Sequence, residues 1–414
     1  MTLKKTITLS KGVSLTIGSI IGSGLLALPG IAYVEYGSSS LIAWLTTALL
    51  VLPFVFIFSN LSSRFPSAGG IYEFSKRAFG DRVSQIIAFI IAGTWPIGIP
   101  ILAIIGSNYL TRLFSMLESL TPIIAFLMLV IATILNYFGA DISGRIQTIV
   151  VMLTILLLSF VVFIGVPKAK VELDFNLKDV WMSMSLIFWA YLGLENVTFL
   201  SEEFKESRNI IKSMLMGLLF VVFLYFGLSY VVIGLLPKTH ATEVTPIIEV
   251  IDIVGGRYAG IVAGLVSVLI VFLNINAWVW GASRSIYSAS RDKALPEFLS
   301  GVNRYKAPHM ALISLLVVWA ITLSLYAFLK LDLAVMFRFA NQNFVIMYLA
   351  SVMAYLKLND GVNKLFGIVT LAIIAIFMFS YNYALIYPAI LTIVAISYDV
   401  IKRKGKSMQS WGKG

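Results

Sequence analysis

Two apolar stretches decide the fold: residues 21–29, which read IGSGLLALP, and residues 189–195, which read WAYLGLE. Each lies inside an apolar run long enough to cross a bilayer, which takes about 20 residues. Each also carries glycine beside polar groups near the middle of its run. Because glycine is a poor helix former, both stretches are predicted to interrupt a transmembrane helix.

The composition of the whole chain indicates a polytopic α-helical membrane protein. Hydrophobic residues make up 59% of the 414 residues and charged residues only 12%, whereas a soluble domain carries roughly 25% charged residues. The absence of cysteine excludes disulfides and Cys-ligated metals. The two histidines, His240 and His309, fall in predicted loops. We therefore expect no metal centre and no cofactor.

Twelve membrane spans are predicted, so both termini lie on one side of the membrane. That side holds 23 of the 31 Lys and Arg residues, and the positive-inside rule makes it cytoplasmic. We expect a multi-pass protein of the inner or plasma membrane. The net charge of +11 is attributed to this topology and to anionic lipid headgroups, not to nucleic acid. The spans are 12–34, 40–62, 84–110, 121–139, 146–166, 179–201, 213–236, 258–283, 310–329, 333–356, 364–380 and 382–401.

The two interrupted spans are the first and the sixth. An offset of five spans inverts a repeat, so spans 1–5 and 6–10 are predicted to be related by an axis in the membrane plane. Glycine-interrupted helices at matching places in two inverted halves point to a transport site. The alternative for either span alone is close helix packing, which also uses glycine. The predicted divisions are 1–170 and 171–358 for the two repeats, 359–402 for two peripheral helices, and 403–414 for a cytoplasmic tail.

An interrupted helix leaves backbone N–H and C=O groups unpaired, which a membrane tolerates only where a cavity or a ligand pairs them. The N–H groups lie at a half-helix N-terminus, whose partial positive charge favours a carboxylate. The C=O groups lie at a half-helix C-terminus and favour an ammonium group. We therefore expect Gly22, Ser23 and Gly24 to hold the carboxylate of an amino acid, and the carbonyls of Trp189 to Leu192 to face its ammonium group.

Aromatic residues near the middle of spans are candidates for the walls or gates of a pocket, because membrane aromatics are more typical of the interface belt. These residues are Trp189, Tyr191, Trp278 and Trp280, and ordinary bundle packing is the alternative for each. Glu195 is the only acidic residue deep within a predicted span. It either carries a coupling proton, pairs with a basic group, or holds the unwound backbone of span 6, and its place beyond the pocket favours the last role.

Four motifs resemble the amino acid–polyamine–organocation superfamily of transporters. They are residues 21–29, residues 65–80 with FPSAGGIY and AFG, residues 202–208 with EEFK and a later Arg, and residues 284–296 with SRD and LP. Residues 188–203 and 339–348 are more narrowly similar to bacterial exporters of L-methionine and branched-chain amino acids. The resemblance implies an all-α integral membrane fold of ten helices in two inverted five-helix repeats, plus two peripheral helices.

The resemblance also implies roles for individual residues. It implies that Ser23 and Gly24 contact the substrate carboxylate, that Trp189 covers the substrate, that Trp278 is a gate, and that Asn341 lines the pathway. Together with the residues named above, the predicted substrate-binding set is Gly22, Ser23, Gly24, Leu25, Trp189, Ala190, Tyr191, Leu192, Trp278 and Asn341.

One position departs from the pattern of this superfamily. Several relatives that are driven by protons or independent of sodium carry a Lys in span 5, seven residues after a Gln. Counting from Gln147, that position is Thr154 in this chain. Since this fixed cation is absent, the identity of the coupling ion is left open, and both a proton and sodium are candidates.

The leading hypothesis is an alternating-access carrier that exports methionine, leucine, isoleucine or valine with the proton gradient. An importer or exchanger of the same fold is the alternative. A membrane-embedded enzyme needs a cluster of catalytic groups or metal ligands, and a channel needs charged rings or a carbonyl filter along a pore; the spans carry neither pattern. The expected partners are a small neutral amino acid, the lipid bilayer and the coupling ion, and the protein is expected as a monomer or a homodimer.

Overall fold

The computed structural model describes residues 5–114, 118–237, 246–331, 333–380 and 385–411. Within these ranges the backbone forms sixteen α-helices and no β-strand. In chain order the helices are α1 (Leu9–Ile20), α2 (Ser23–Tyr36), α3 (Ser40–Arg64), α4 (Ile71–Phe79), α5 (Asp81–Leu113), α6 (Thr121–Tyr137), α7 (Ala140–Gly165), α8 (Leu177–Ile187), α9 (Leu194–Thr198), α10 (Arg208–Leu235), α11 (Pro246–Gly255), α12 (Arg257–Arg291), α13 (His309–Leu329), α14 (Leu333–Leu358), α15 (Gly361–Ser380) and α16 (Ile386–Trp411).

Each predicted span overlaps one of these helices or an interrupted pair; residues 382–384, at the start of the last span, lie outside the described residues. Span 1 corresponds to α1 and α2, and span 6 to α8 and α9. The short helices α4 and α11 lie in segments that were predicted as loops, and α16 continues to Trp411, past the predicted end of the last span. His309 is the first residue of α13 rather than a loop residue, and His240 lies outside the described residues.

Five helical runs of the described residues are long and apolar enough to cross a membrane. Large apolar side chains on their outer faces are exposed, with Phe328 85% accessible. Such an apolar surface is stable in contact with lipid and not with water. The chain is therefore a multi-pass membrane protein. The five runs are Leu9–Arg64, Asp81–Thr111, Arg208–Leu235, Tyr258–Arg291 and His309–Leu329, with shorter apolar helices at Thr121–Tyr137, Val151–Gly165 and Gly361–Ala375.

The predicted interruption of span 1 is confirmed. α1 ends where Ile21 becomes extended, with φ −72° and ψ 116°, and α2 begins at Ser23. The residue between the two helices, Gly22, lies directly against Asn274 of α12. A Cβ atom at Gly22 would come within 2.3 Å of Cγ of Asn274. Glycine is required here because it leaves room for this side chain.

The predicted interruption of span 6 is also confirmed. A 3₁₀ turn, Phe188–Tyr191, follows α8, and Gly193 precedes α9 with φ +134°, a conformation that glycine adopts without steric cost. A Cβ atom at Gly193 would lie 2.6 Å from the carbonyl oxygen of Ser19, and one at Gly24 would lie 2.9 Å from Cα of Ala190. The two breaks therefore contact each other directly.

Buried contacts close the end of the helix bundle that holds residues 5–8. This end is named the basic end, after the Lys and Arg residues of its loops. The N–H groups of Thr6 and Ile7 donate to the carbonyl oxygen of Glu203 at 2.9 and 3.0 Å. The Glu203 carboxylate pairs with Arg284 of α12 at 2.9 Å, and both side chains are 1% exposed. The N-terminal segment is thus fixed over the end of α12.

A second set of contacts lies beside this closure, between α4 and the end of α12. Lys76 forms a salt bridge with Asp292 at 2.5 Å, and the Tyr72 hydroxyl donates to the same carboxylate at 3.3 Å. Burial, with the Asp292 charge beside it, raises the pKa of the Tyr72 phenol above its ordinary value. The phenol is therefore protonated, and able to donate this hydrogen bond, at neutral pH.

The substitution Gly193→Ala tests the contact between the two breaks. We expect it to lower the thermal unfolding midpoint in detergent, because the backbone conformation costs about 1–3 kcal/mol for other residues and the methyl group meets the Ser19 backbone. Gly80→Ala is the control, since Gly80 also has positive φ (+80°) but nothing within 4 Å of its Cβ position. Equal midpoints for the two variants would contradict the proposed contact.

Candidate functional site

A buried cavity lies where the two breaks meet α5, α12 and α14. The space open to the centre of a water-sized sphere is about 30 Å³, and a water needs roughly 10–15 Å³ on this measure. The cavity therefore fits on the order of two waters, and a larger ligand requires its walls to move apart. It is lined by Ser19, Ile20, Gly24, Trp95, Gly98, Ile99, Leu102, Trp189, Leu192, Asn274, Trp278 and Phe344.

Side chains of α12 pair the carbonyl end of α1. Asn274 Nδ2 donates to the carbonyl oxygens of Gly18 and Ser19 at 2.9 and 2.8 Å. The Ser19 oxygen also accepts a hydrogen bond from Nε1 of Trp278 at 3.1 Å. These carbonyls would otherwise be unpaired, because α1 has ended before the residues that would donate to them.

A tyrosine of α10 joins the two breaks. The hydroxyl oxygen of Tyr225 lies 2.9 Å from the carbonyl oxygen of Ile20 and 2.9 Å from that of Ala190. A hydroxyl group has one hydrogen, so it donates to one of these carbonyls at a time. The other carbonyl keeps its capacity to accept a hydrogen bond.

The amide end of the same break has no side-chain cap. Gly22 occupies the N-cap position of α2 and makes no side-chain hydrogen bond. The N–H groups of the first helical turn, which belong to Ser23, Gly24 and Leu25, have no carbonyl partner within the helix. Since Gly24 lines the cavity, this wall offers donors and partial positive charge to an anion. The Ser23 side chain lies outside the part of the structure that is described.

Four aromatic rings form much of the remaining wall of the cavity. Trp278 packs against Trp95 and Phe344, with ring centroids 5.6 and 5.7 Å apart. Trp189 packs edge-on against Phe344 at 6.0 Å and against Phe337 of α14 at 4.7 Å. Trp189 is half-buried, whereas the other lining residues are buried. Part of its ring is therefore exposed outside the cavity, and its covering role stays a prediction.

Glu195 contacts the backbone of the second break. The N–H group of Gly193 lies 3.1 Å from each carboxylate oxygen. The Tyr348 hydroxyl donates to the same carboxylate at 2.6 Å. The side chain is fully buried at the N-terminus of α9. Of the three roles considered for Glu195, these contacts support the one in which it holds the unwound backbone.

Three other predicted residues are near the breaks but are not among those that line the cavity. Leu25 is completely buried. Ala190 packs against Gly24 through its Cα atom. The hydroxyl of Tyr191 donates to the carbonyl oxygen of Trp44 at 3.0 Å, so its ring turns toward α3.

The remaining predicted residues lie further from the cavity. Asn341 is half-buried on α14, three residues before Phe344, and its amide oxygen has no hydrogen-bond partner within the described ranges. Thr154 of α7 lines a separate apolar groove together with α12 side chains. Trp280 is buried and donates to the Glu203 carboxylate at 3.3 Å, so it belongs to the closure of the basic end.

Sequence reasoning did not find several of the residues that form the cavity, notably Asn274, Tyr225, Trp95 and Phe344. Asn274 carried a usable signal, since it is an amide within a predicted apolar span and polar groups there need partners. Tyr225, Trp95 and Phe344 lie near the middle of their predicted spans, as Trp189 and Trp278 do, but this position does not separate an aromatic residue that packs in the bundle from one that lines a cavity.

Comparison with known proteins agrees with this architecture. The family profile described as amino acid permease matches residues 7–400. The chain therefore belongs to the amino acid permease family, whose members are transporters rather than enzymes. The resemblance to the amino acid–polyamine–organocation superfamily is thereby confirmed.

Individual relatives cover most of the chain at low identity. The chain is 28% identical to "Uncharacterized amino acid permease YecA" of Bacillus subtilis, over 97% of each chain. It is 26% identical to "L-methionine/branched-chain amino acid exporter YjeH" of Escherichia coli, over 89% of each chain. It is 25% identical to "Branched-chain amino acid permease BcaP" of Bacillus subtilis, over 72% of this chain and 70% of the relative.

The substitution Asn274→Leu tests how the first break is stabilised. It keeps the branched shape and the number of heavy atoms but leaves the Gly18 carbonyl without a donor, while the Ser19 carbonyl keeps Trp278. We expect a loss of about 1–3 kcal/mol in unfolding free energy, measured as a lower thermal unfolding midpoint. The control is Asn343→Leu, because Asn343 is equally buried but makes one long contact, 3.4 Å to the Ile90 carbonyl. An equal loss in both variants would argue against a special role for Asn274.

Proposed function

We propose that this protein is a secondary active transporter that exports methionine, leucine, isoleucine and valine by alternating access, driven by the proton gradient. In this proposal the twelve spans cross the inner membrane with both termini cytoplasmic. Spans 1–5 and 6–10 are the inverted repeats, and α15 and α16 are peripheral. The observation that carries the proposal is the contact of two interrupted helices beside an apolar cavity.

The substrate carboxylate is assigned to the amide end of α2. The N–H groups of Ser23, Gly24 and Leu25 are uncapped and can donate hydrogen bonds to a carboxylate. Such a carboxylate then needs no basic side chain of the protein beside it. The substrate ammonium group is assigned to the carbonyls of the breaks. Support comes from Tyr225, whose single hydrogen leaves either the Ile20 or the Ala190 carbonyl able to accept another hydrogen bond.

The aromatic and aliphatic wall supports a preference for apolar side chains. No residue that lines the cavity is charged, although the lining is known only within the described ranges. Burying an unpaired ammonium or carboxylate in such a wall is costly, which disfavours lysine and glutamate as substrates. Methionine and the branched-chain amino acids have side chains that such a wall can surround.

Alternating access requires closure at each end of the cavity in turn. The N-terminal segment at Ile7 and the buried pair of Glu203 and Arg284 close the basic end. On the other side, the edge-on contact of Trp189 with Phe337 covers the mouth. The small volume of the cavity fits a conformation closed at both ends without substrate. Entry from the basic end then needs movement of the N-terminal segment, and release on the side of Trp189 needs movement of that ring.

The names of the relatives support the substrate class and leave one alternative for the direction. The Escherichia coli relative is named an exporter of L-methionine and branched-chain amino acids, which favours export. The Bacillus subtilis relative named a branched-chain amino acid permease keeps import or exchange by the same fold as the alternative. For coupling, sodium is the alternative to the proton.

Transport by purified protein in liposomes tests the substrate class and the coupling ion. Liposomes are loaded with labelled methionine, leucine, lysine or glutamate, and efflux is followed with and without imposed pH and sodium gradients. We expect methionine and leucine to leave faster under a pH gradient, and lysine and glutamate to leave no faster than from protein-free liposomes. Movement of lysine or glutamate without methionine would refute the apolar site, and acceleration by sodium alone would replace the proton as coupling ion.

The substitution Trp189→Ala tests the covering role of this ring. It removes a large apolar contact worth about 1.5–3 kcal/mol, which corresponds to roughly a 10- to 100-fold loss in transport at low substrate concentration. Trp181→Ala is the matched control, because Trp181 is on the adjoining helix α8 but is 42% exposed on the outer face. Both variants are checked for an unchanged elution profile in detergent. Wild-type flux in Trp189→Ala would remove this residue from the site.

A further inference from the structure

We propose that a crevice between α3 and α15 at the basic end binds the headgroup of an anionic phospholipid, such as phosphatidylglycerol, from the adjoining leaflet. The crevice has a volume of about 460 Å³ and is separate from the transport cavity. Its walls come from α3, α10, α14 and α15. The proposal rests on the membrane orientation argued above, which places this crevice at the cytoplasmic surface, and not on the identity of the transported substrate.

The crevice is graded from apolar to polar along its length. On α3, the lining residues Phe56, Asn60 and Arg64 follow one another at intervals of four, so they lie on one helix face. On α15, Phe366 lies one turn deeper than Asn363. The rings of Phe56 and Phe366 pack edge-on at 6.0 Å and close the apolar end. This order of apolar and polar groups matches the order of acyl chain and headgroup in a phospholipid.

The polar part of the crevice offers both a cation and an unused acceptor. Nη1 of Arg64 donates to the carbonyl oxygen of Leu358 and to Oδ1 of Asn359 at 3.0 and 3.1 Å, which holds the guanidinium at the crevice. Arginine has five N–H donors in all, so donors remain for a phosphate. Oδ1 of Asn60 is buried without a partner in the described part of the chain, and it can accept from a hydroxyl of a glycerol headgroup once the side chains that cover it move aside.

The charge around the crevice favours an anion. Lys212 follows the lining residue Ile211, and Lys364 follows the lining residue Asn363; both lysines are exposed. The acidic neighbour in sequence is Asp360, just before α15. The N-terminus of α15 adds partial positive charge at the same place. Basic pockets between transmembrane helices at the cytoplasmic surface bind anionic headgroups; this crevice has one basic lining residue, Arg64, with Lys212 and Lys364 next to lining residues.

Retention of lipid by the full-length protein in detergent tests the proposal. The protein is titrated with phosphatidylglycerol or phosphatidylethanolamine, and bound lipid is counted by native mass spectrometry, with inorganic phosphate as a competitor. The variants are Arg64→Gln and Asn363→Asp. Arg82→Gln is the control, because it makes the same change in net charge at an exposed residue outside the crevice. Asn363→Asp leaves the hydrogen bonds of Arg64 in place. It therefore still tests lipid binding at the crevice if the Arg64→Gln variant does not fold.

We expect phosphatidylglycerol to bind in preference to phosphatidylethanolamine, and each crevice variant to weaken it about fivefold, the factor for one charge near the membrane surface. Arg82→Gln should bind as the wild type does. Equal binding of the two lipids, an equal loss in Arg82→Gln, or displacement by inorganic phosphate would each overturn the proposal; the last would indicate a site for free phosphate. Because binding is counted without transport, failure here is distinguishable from failure of the proposed transport function.

Discussion

The pairing of backbone groups at the first helix break is the constraint on which the rest of the structure depends. In the interior of a membrane protein no bulk water pairs a carbonyl or an amide, so each group must find a partner or face a cavity. Asn274 and Trp278 meet this demand for the carbonyls of Gly18 and Ser19, and Tyr225 donates to either the Ile20 or the Ala190 carbonyl. These side chains fix α1 to α12 and α10, and thereby position both breaks.

The two breaks differ in whether the N-terminus of the second half-helix is capped within the protein, and the proposed carboxylate site uses this difference. The α9 terminus is already occupied by a carboxylate of the protein itself, since Glu195 accepts from the N–H group of Gly193. The α2 terminus, at Gly22, has no such group. The N-terminus of the short helix α9 is thus capped within the protein, whereas that of α2 is uncapped and faces the cavity at Gly24. In the proposed function, the carboxylate of an amino acid occupies the α2 terminus.

The helices of the membrane spans could be predicted from sequence because their signal is strong and local. A run of about 20 apolar residues has few alternatives to a transmembrane helix, and glycine within it marks a break. The helices α4 and α11 were missed because nine and ten residues are too few to span a bilayer, so hydropathy does not separate them from loops. Within the site, backbone positions such as Gly22 and Gly24 were predicted from dipole arguments. Asn274 and Tyr225 were missed because their role depends on which helices become neighbours, and that information is not local.

The proposed transport cycle requires the basic end to open, and the buried ion pair that closes this end bears on that step. The pair of Glu203 and Arg284 is almost completely buried, so its Coulombic attraction is largely offset by the cost of removing both charges from water. If the N-terminal segment moved away, water would solvate both charged groups, and the free energy lost in removing them from water would be recovered. Separation would therefore be much less unfavourable than the 2.9 Å contact alone implies. The pair gives the closed end a defined geometry without making it permanent, which is the property that a gate in an alternating-access transporter needs.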